Sequence, residues 1–200
     1  MKRLVYLISP NKIKKNFYND LKKVLKSKNV KFFQLRVKKG SKSEIIKIAK
    51  KIKTITKRNN VKLIINDNAE IAKMAGADGC HIGQLDGSVT NVKKYINNKI
   101  IGLTCHNSKK LAYFAVKNKV SYIALGSFYK SKLKPNAKKA NPKILKWAKK
   151  NIKMPIVAIG GINDKNYKKL ILAGANFIAI SSFIWDNPLL KPELAIRKFK

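Results

Sequence analysis

The chain has 200 residues, of which 45% are apolar, enough for a packed core and too many for wholesale disorder. Lys and Arg number 46 against 9 Asp and Glu, a formal net charge of +37 that first suggests a polyanion partner. Arg stands only at Arg3, Arg36, Arg58 and Arg197, so 42 of the 46 are Lys, spread along the whole chain. Nucleic-acid surfaces favour Arg, whose planar fork matches phosphate and guanine edges, so no specific nucleic-acid partner is expected.

Short apolar runs recur in chain order: Leu4–Ser9, Lys31–Leu35, Val61–Asn66, Gly79–Ile82, Ile100–Cys105, Tyr122–Gly126, Pro155–Ile159 and Phe177–Ser181. They are rich in Ile, Val, Leu and aromatics, the composition of strands buried on both faces. Lys-rich amphipathic segments separate them. Ser43–Thr56 sets Ile45, Ile46, Ile48, Ala49, Ile52 and Ile55 at helical spacing. Ser108–Asn118, Asn141–Lys150 and Asp164–Ala173 read the same way, and a helix over Pro192–Phe199 closes the chain.

Eight alternations of strand and helix predict an α/β fold with parallel strands and right-handed crossovers. Eight such units close into a (β/α)8 TIM barrel, here one domain over residues 1–200. A doubly wound open sheet is the other arrangement. An internal echo favours the barrel: Ala75-Gly76-Ala77-Asp78 recurs as Ala173-Gly174-Ala175-Asn176, 98 residues later. No apolar run approaches the ~18 residues of a spanning helix. The two cysteines, Cys80 and Cys105, lie in apolar runs and read as buried thiols rather than a disulfide framework. The expectation is a soluble cytoplasmic protein with no membrane partner, and a homo-oligomer stays open.

In such a barrel the chemistry lies at the C-terminal strand ends. Those ends are polar here: Gln34, Arg36 and Lys38; Asn66-Asp67; Gly83-Gln84-Leu85-Asp86; Thr104-Cys105-His106; Ser131 to Lys134; Gly160-Gly161; Ser181-Ser182. Two of only nine acids, Asp67 and Asp86, follow neighbouring strands. One or two carboxylates with substrate phosphate oxygens suit Mg²⁺. Asp67 could instead cap a helix starting near Asn68, and Asp86 could belong to a turn before Gly87. The remaining acids read as caps or solvated faces. Arg36, Lys38 and Lys134 are rim cations that would neutralise a diphosphate. Gly160-Gly161 and Ser181-Ser182 sit where such barrels often hold a phosphate on backbone N–H groups. His81 reads as a core histidine, and His106 as either an acid/base group or a packing residue. The Lys-rich loop Phe128–Lys138 is a candidate lid. Together these features suggest an enzyme that joins two phosphorylated small molecules with loss of diphosphate.

The motifs YLISP (Tyr6–Pro10), QLRVK (Gln34–Lys38), LIINDN (Leu63–Asn68), AGADGCHIGQLD (Ala75–Asp86), IGLTCHNS (Ile101–Ser108), ALGSFYKSKLK (Ala124–Lys134), VAIGGI (Val157–Ile162) and AISSFIW (Ala179–Trp185) resemble the thiamine-phosphate synthase family, which includes thiazole tautomerases. The resemblance implies a (β/α)8 barrel that couples an aminopyrimidine diphosphate to a (carboxy)thiazole phosphate with Mg²⁺. It implies that Gln34, Arg36, Lys38, Asn66, Thr104 and Lys134 hold the pyrimidine diphosphate, with Lys134, Arg36 and Thr104 catalytic. It implies Asp67 and Asp86 as Mg²⁺ ligands. Ser131, Leu133, Gly161, Ser181 and Ser182 would surround the thiazole phosphate. The family's Thr-x-Thr-Lys is replaced by Ser131-Lys132-Leu133-Lys134, which leaves the form of the thiazole partner open. Val37 and Leu85 also depart from the family's usual residues. Two other readings stand beside this one: a tautomerase using His106 without Mg²⁺, and a non-catalytic phosphate- or polyanion-binding barrel.

Overall fold

In the computed structural model, which describes residues 3–84, 87–130 and 138–200, eight parallel strands close into a barrel in sequence order. The strands are β1 (Val5–Ile8), β2 (Val30–Leu35), β3 (Lys62–Asn66), β4 (Gly79–Ile82), β5 (Ile100–His106), β6 (Tyr122–Gly126), β7 (Ile156–Ile159) and β8 (Phe177–Ile180). The helices are α1 (Phe17–Leu25), α2 (Lys42–Arg58), α3 (Ala69–Met74), α4 (Val89–Ile96), α5 (Lys109–Lys117), α6 (Lys143–Asn151), α7 (Tyr167–Leu172), α8 (Ser182–Trp185) and α9 (Pro192–Ala195). Pairing of β1 with β8, Tyr6 against Ala179, closes the ring and excludes the open sheet. None of the described helices is long and apolar enough to cross a membrane.

The strands fall on the expected apolar runs. The helices differ at their ends for local reasons. At the start of α2, Ser41 and Glu44 form a capping box, so the helix begins one residue early. The segment expected to be helical from Asp164 starts only at Tyr167. Asn163 and Asn166 instead bind each other's backbone N–H groups in a turn, at 2.9 and 3.2 Å. The last helix breaks after Ala195 into a 3-10 turn over Ile196–Lys198.

Two apolar layers hold the barrel. Outside the strands, residues such as Leu7, Phe33, Leu63, Cys80 and Ile178 pack under the helices. Fully burying one such Leu, Ile or Phe contributes about 1.5–3 kcal/mol. Inside the barrel, Tyr6, Ile8, Tyr122, Ala124, Val157 and Ala179 form a second cluster, with Phe32 and Phe177 against it. The interior is thus filled by large rings at its lower end and small residues above. Gly102 makes this possible. A Cβ there would lie 2.0 Å from Cζ of Tyr122, whose ring crosses β5 at that point.

The internal echo has a physical cause. Asp78, just before β4, accepts the Leu63 N–H on its carboxylate at 2.8 Å and donates its own N–H to the Leu63 carbonyl at 2.8 Å. Asn176, just before β8, makes the same reciprocal clip with Ile156, again 2.8 Å in each direction. Ser121, just before β6, does so with Ile101 at 3.0 and 2.7 Å. Before β2, the Asn29 side chain accepts the Leu4 N–H at 3.3 Å. A short polar side chain at the entry of each even strand therefore satisfies the first orphan N–H of the strand before it. Asp78 is neither a cap nor on a solvated face, as its sequence position had suggested: Lys53 Nζ lies 2.5 Å from its Oδ2.

This clip predicts an ordering of stabilities. Asp78→Ala strands the Leu63 N–H and should cost about 1–3 kcal/mol. Asp78→Asn, which imitates Asn176, should keep the clip and lose only the partly exposed ion pairs with Lys53 and Lys62, under about 1 kcal/mol. Denaturant midpoints of the two variants check this, and equal losses would refute it.

Candidate active site

The polar strand ends converge on a cavity of about 370 Å³ at the C-terminal mouth of the barrel. Of the residues singled out from the sequence, Gln34, Arg36, Lys38, Asn66, Asp67, Thr104, Gly161, Ser181 and Ser182 all line it. So do His81, Gln84 and His106. Asp86, Ser131, Leu133 and Lys134 lie outside the described residues.

A row of amides leads to Asp67. Gln34 is buried, and its Nε2 donates to Asn66 Oδ1 at 2.7 Å. Asn66 Nδ2 in turn donates to Asp67 Oδ2. The ionised carboxylate can only accept, so it sets the direction of the whole row. Gln34 Oε1 is left as a hydrogen-bond acceptor at the cavity. Asp67 itself has a left-handed backbone, φ 64°, and donates its N–H to the His81 carbonyl at 2.7 Å. Helix α3 is capped by Asn68, whose side chain accepts the Ile71 N–H at 2.9 Å. The capping alternative for Asp67 is therefore overturned, because its neighbour does that work.

Arg36 is positioned by residues that sequence reasoning passed over. Its N–H donates to Ser9 Oγ at 2.9 Å and its Nη1 to Asn11 Oδ1 at 3.1 Å. Ser9 is held by both neighbouring strands. It donates its N–H to the Gln34 carbonyl at 2.9 Å and accepts from Ser181 Oγ at 3.1 Å. Trp185 Nε1 donates to the Ile8 carbonyl at 2.6 Å. The Ser181 hydroxyl is thus spent on the scaffold, so a ligand there would meet backbone N–H groups and Ser182. In the sequence Ser9 stands only as the end of the first apolar run, with Pro10 after it.

Opposite Arg36, Gly160 and Gly161 turn with φ 108° and 58°. A Cβ on Gly161 would come within 2.2 Å of the Lys130 carbonyl, so this corner admits only bare backbone. The expected lid is pinned at its described flank. Phe128 is buried and donates its N–H to the Ile159 carbonyl, and Tyr129 donates to that of Gly160. Residues 131–137, the rest of that loop, lie outside the described residues.

Between β5 and β6 a bulge falls at Cys105. It leaves Thr104 half-buried at the cavity, drives Cys105 into the outer core and puts His106 at the exposed rim with φ 51°. Burial pushes the Cys105 thiol up to about 12, so it stays protonated and is no nucleophile. His81 is buried but satisfied: Nε2 lies 2.8 Å from Thr104 Oγ1 and Nδ1 lies 2.9 Å from Tyr122 Oη. Gln84 Nε2 donates to the Thr104 carbonyl.

The donor chemistry suits Mg²⁺. Asp67 is the one carboxylate among the described lining residues, and its neighbours offer amide and hydroxyl oxygens. No group of three His, Cys, Asp or Glu comes together among the described residues. A hard cation that takes much of its shell from water and phosphate needs no more than one or two carboxylates.

Comparison with known proteins agrees with this architecture. The family model described as thiamine monophosphate synthase matches residues 5–184. A thiamine-phosphate synthase of Pelagibacter ubique is 52% identical over 200 residues, covering 100% of this chain and 97% of that one. One of Erythrobacter litoralis is 36% identical over 188 residues, covering 92% of this chain and 88% of its own. Among solved structures, a thiamine phosphate pyrophosphorylase from Pyrococcus furiosus superposes with a TM-score of 0.87 at 24% identity, covering 98% of this chain and 93% of that one. A 3-hexulose-6-phosphate synthase from Salmonella typhimurium shares the fold, with a TM-score of 0.71 at 15% identity over 98% and 96% of the two chains. With its family model matched over nearly its whole length, the chain belongs to the thiamine monophosphate synthase family.

Proposed function

We propose that this chain is a thiamine-phosphate synthase, joining 4-amino-2-methyl-5-(diphosphooxymethyl)pyrimidine to a (carboxy)thiazole phosphate. The observation that carries the reading is the division of one cavity. Arg36, Lys38 and the Asp67 row stand on one side, and the Gly160-Gly161 and Ser181-Ser182 backbone on the other. The first side suits a diphosphate with its counter-cation. The second suits a monophosphate bound by backbone N–H groups.

In the reaction the bond between the exocyclic methylene carbon and the diphosphate oxygen breaks, and its electron pair leaves on oxygen. The aminopyrimidine ring supports the cation left at the methylene. The thiazole nitrogen then supplies the lone pair for the new C–N bond. Arg36, Lys38 and Lys134 hold the growing charge of the leaving group, where fixed cations act most strongly on a developing anion. Gln34 Oε1 is oriented to accept from the pyrimidine's amino group, and Thr104 offers a hydroxyl to the same substrate. Asp67 and Asp86 would hold Mg²⁺, which supplies further positive charge against the diphosphate oxygens. Holding both partners on one rim makes the capture step effectively intramolecular. No protein nucleophile is required, in keeping with the protonated Cys105.

The test is formation of thiamine phosphate with release of diphosphate from the two substrates in the presence of Mg²⁺. Wild type should turn over. Asp67→Ala and Asp86→Ala should each lose roughly 10²–10³-fold in kcat/KM. Absence of product from wild type, or full activity in Asp86→Ala, would sink the reading. Arg36→Lys keeps the charge but cannot span the diphosphate and Asn11 together. It should lose roughly tenfold, mainly in KM for the pyrimidine substrate.

A further inference from the structure

We infer that Tyr122 and His81 are positioning residues for Thr104: the buried Tyr6–Tyr122 pair holds the His81 imidazole with its proton on Nε2, and this aims the Thr104 hydroxyl proton into the cavity as a donor to substrate. The inference rests on the proposed role of Thr104 as a substrate-binding residue. Its first half stands without that role.

Four groups on four strands form one hydrogen-bonded chain through the barrel interior. Tyr6 Oη lies 2.7 Å from Tyr122 Oη, Tyr122 Oη lies 2.9 Å from His81 Nδ1, and His81 Nε2 lies 2.8 Å from Thr104 Oγ1. Distances alone allow the protons to run either way. The closed end decides. Tyr6 is 2% exposed and has no other partner for its hydroxyl among the described residues, so its proton must go to Tyr122. A buried O–H left without an acceptor forfeits its hydration with nothing in return. Tyr122, also 2% exposed, then has one direction left for its own proton, toward His81 Nδ1. Nδ1 is therefore bare and Nε2 carries the proton, which it donates to Thr104 Oγ1. With its oxygen thus engaged, Thr104 keeps its own proton for the cavity that it lines.

The reverse arrangement, with the proton on Nδ1, turns Tyr122 toward Tyr6 and leaves the Tyr6 proton without an acceptor. A doubly protonated imidazolium does the same. Both phenols keep their protons, since burial pushes them far above the ordinary tyrosine range. The ring geometry is built for the contact. The Tyr122 ring stacks on His81 with centroids 5.6 Å apart and planes 18° off parallel. A Cβ on Gly102 would sit 2.2 Å from Tyr122 Oη, so glycine there clears the path of that hydroxyl.

The chain contains only two histidines, His81 and His106, so nitrogen-15 NMR of the imidazoles is readily assigned with His106→Gln. At neutral pH, His81 should show a protonated Nε2 and a bare Nδ1 in the ligand-free protein. A proton on Nδ1, or on both nitrogens, overturns the inference. Tyr6→Phe should keep the same tautomer, because Tyr122 still has one acceptor for its proton. Tyr122→Phe should lose the single tautomer and lower kcat/KM roughly tenfold. In a Thr104→Val background, Tyr122→Phe should cause no further fall, and an additive fall means that Tyr122 does not act through Thr104. Should Tyr122→Phe fail to fold, the wild-type spectrum still decides. A wild type that forms no thiamine phosphate refutes the functional proposal and leaves the tautomer measurement intact.

Discussion

Ring closure between β1 and β8 is the constraint on which the rest of the molecule depends. A parallel sheet has no tight hairpins, so each strand must be reached by a crossover that covers the outer face. Once Tyr6 pairs with Ala179, no strand has an unpaired edge, and the backbone groups of every strand are satisfied sideways. The polar groups left over lie at the two ends of the barrel. At the entry end they are met internally, by Asn29, Asp78, Ser121 and Asn176 reaching the strand before. At the exit end some are met by the scaffold, as Ser9 and Ser181 are, and the rest line the cavity. The side-chain clips and the cavity therefore occupy opposite ends of one barrel.

Much of this was legible in the sequence, and the reasons are physical. Strands buried on both faces produce unmistakable apolar runs, and all eight were placed. The polar residue after each run marks the rim, so Gln34, Asn66, Thr104 and Gly161 could be assigned to the cavity before any geometry. Adjacent residues were harder to separate. Asp67 and Asn68 are both good caps, and only the fold reveals that Asn68 caps α3 and Asp67 faces the cavity. The helix expected from Asp164 starts late because two Asn side chains compete for backbone N–H groups, a local contest that apolar periodicity does not record.

Partners across the barrel were invisible for a different reason. Tyr6 and Tyr122 stand 116 residues apart, each inside an apolar run where tyrosine reads as one more aromatic. Nothing local says that their hydroxyls meet. Ser9 reads only as the end of the first apolar run and Asn11 carries no signal of its own, yet they orient Arg36. Asp78 reads in the sequence as a cap or a solvated acid, and the AGAD echo as a sign of the barrel. The repeat is finer: the same clip occurs at β4, β6 and β8, with Asp, Ser and Asn as interchangeable acceptors. Chemical equivalence between different letters hides such a pattern from the eye.

Hydrogen-bond direction links these parts to the chemistry. Two rows of polar groups reach the cavity, and each is polarised from its far end. The Asp67 carboxylate accepts only, so Asn66 and Gln34 are turned to leave an acceptor, Gln34 Oε1, at the cavity. The buried Tyr6 hydroxyl must donate, so the opposite row ends in a donor, the Thr104 hydroxyl. An aminopyrimidine diphosphate needs both. Its amino group seeks an acceptor and its diphosphate oxygens seek donors. A free amide or hydroxyl could rotate to suit either, at a cost in order when the ligand binds. Here the protein fixes both directions in advance, each from the distant end of its row, and the site meets its substrate already oriented.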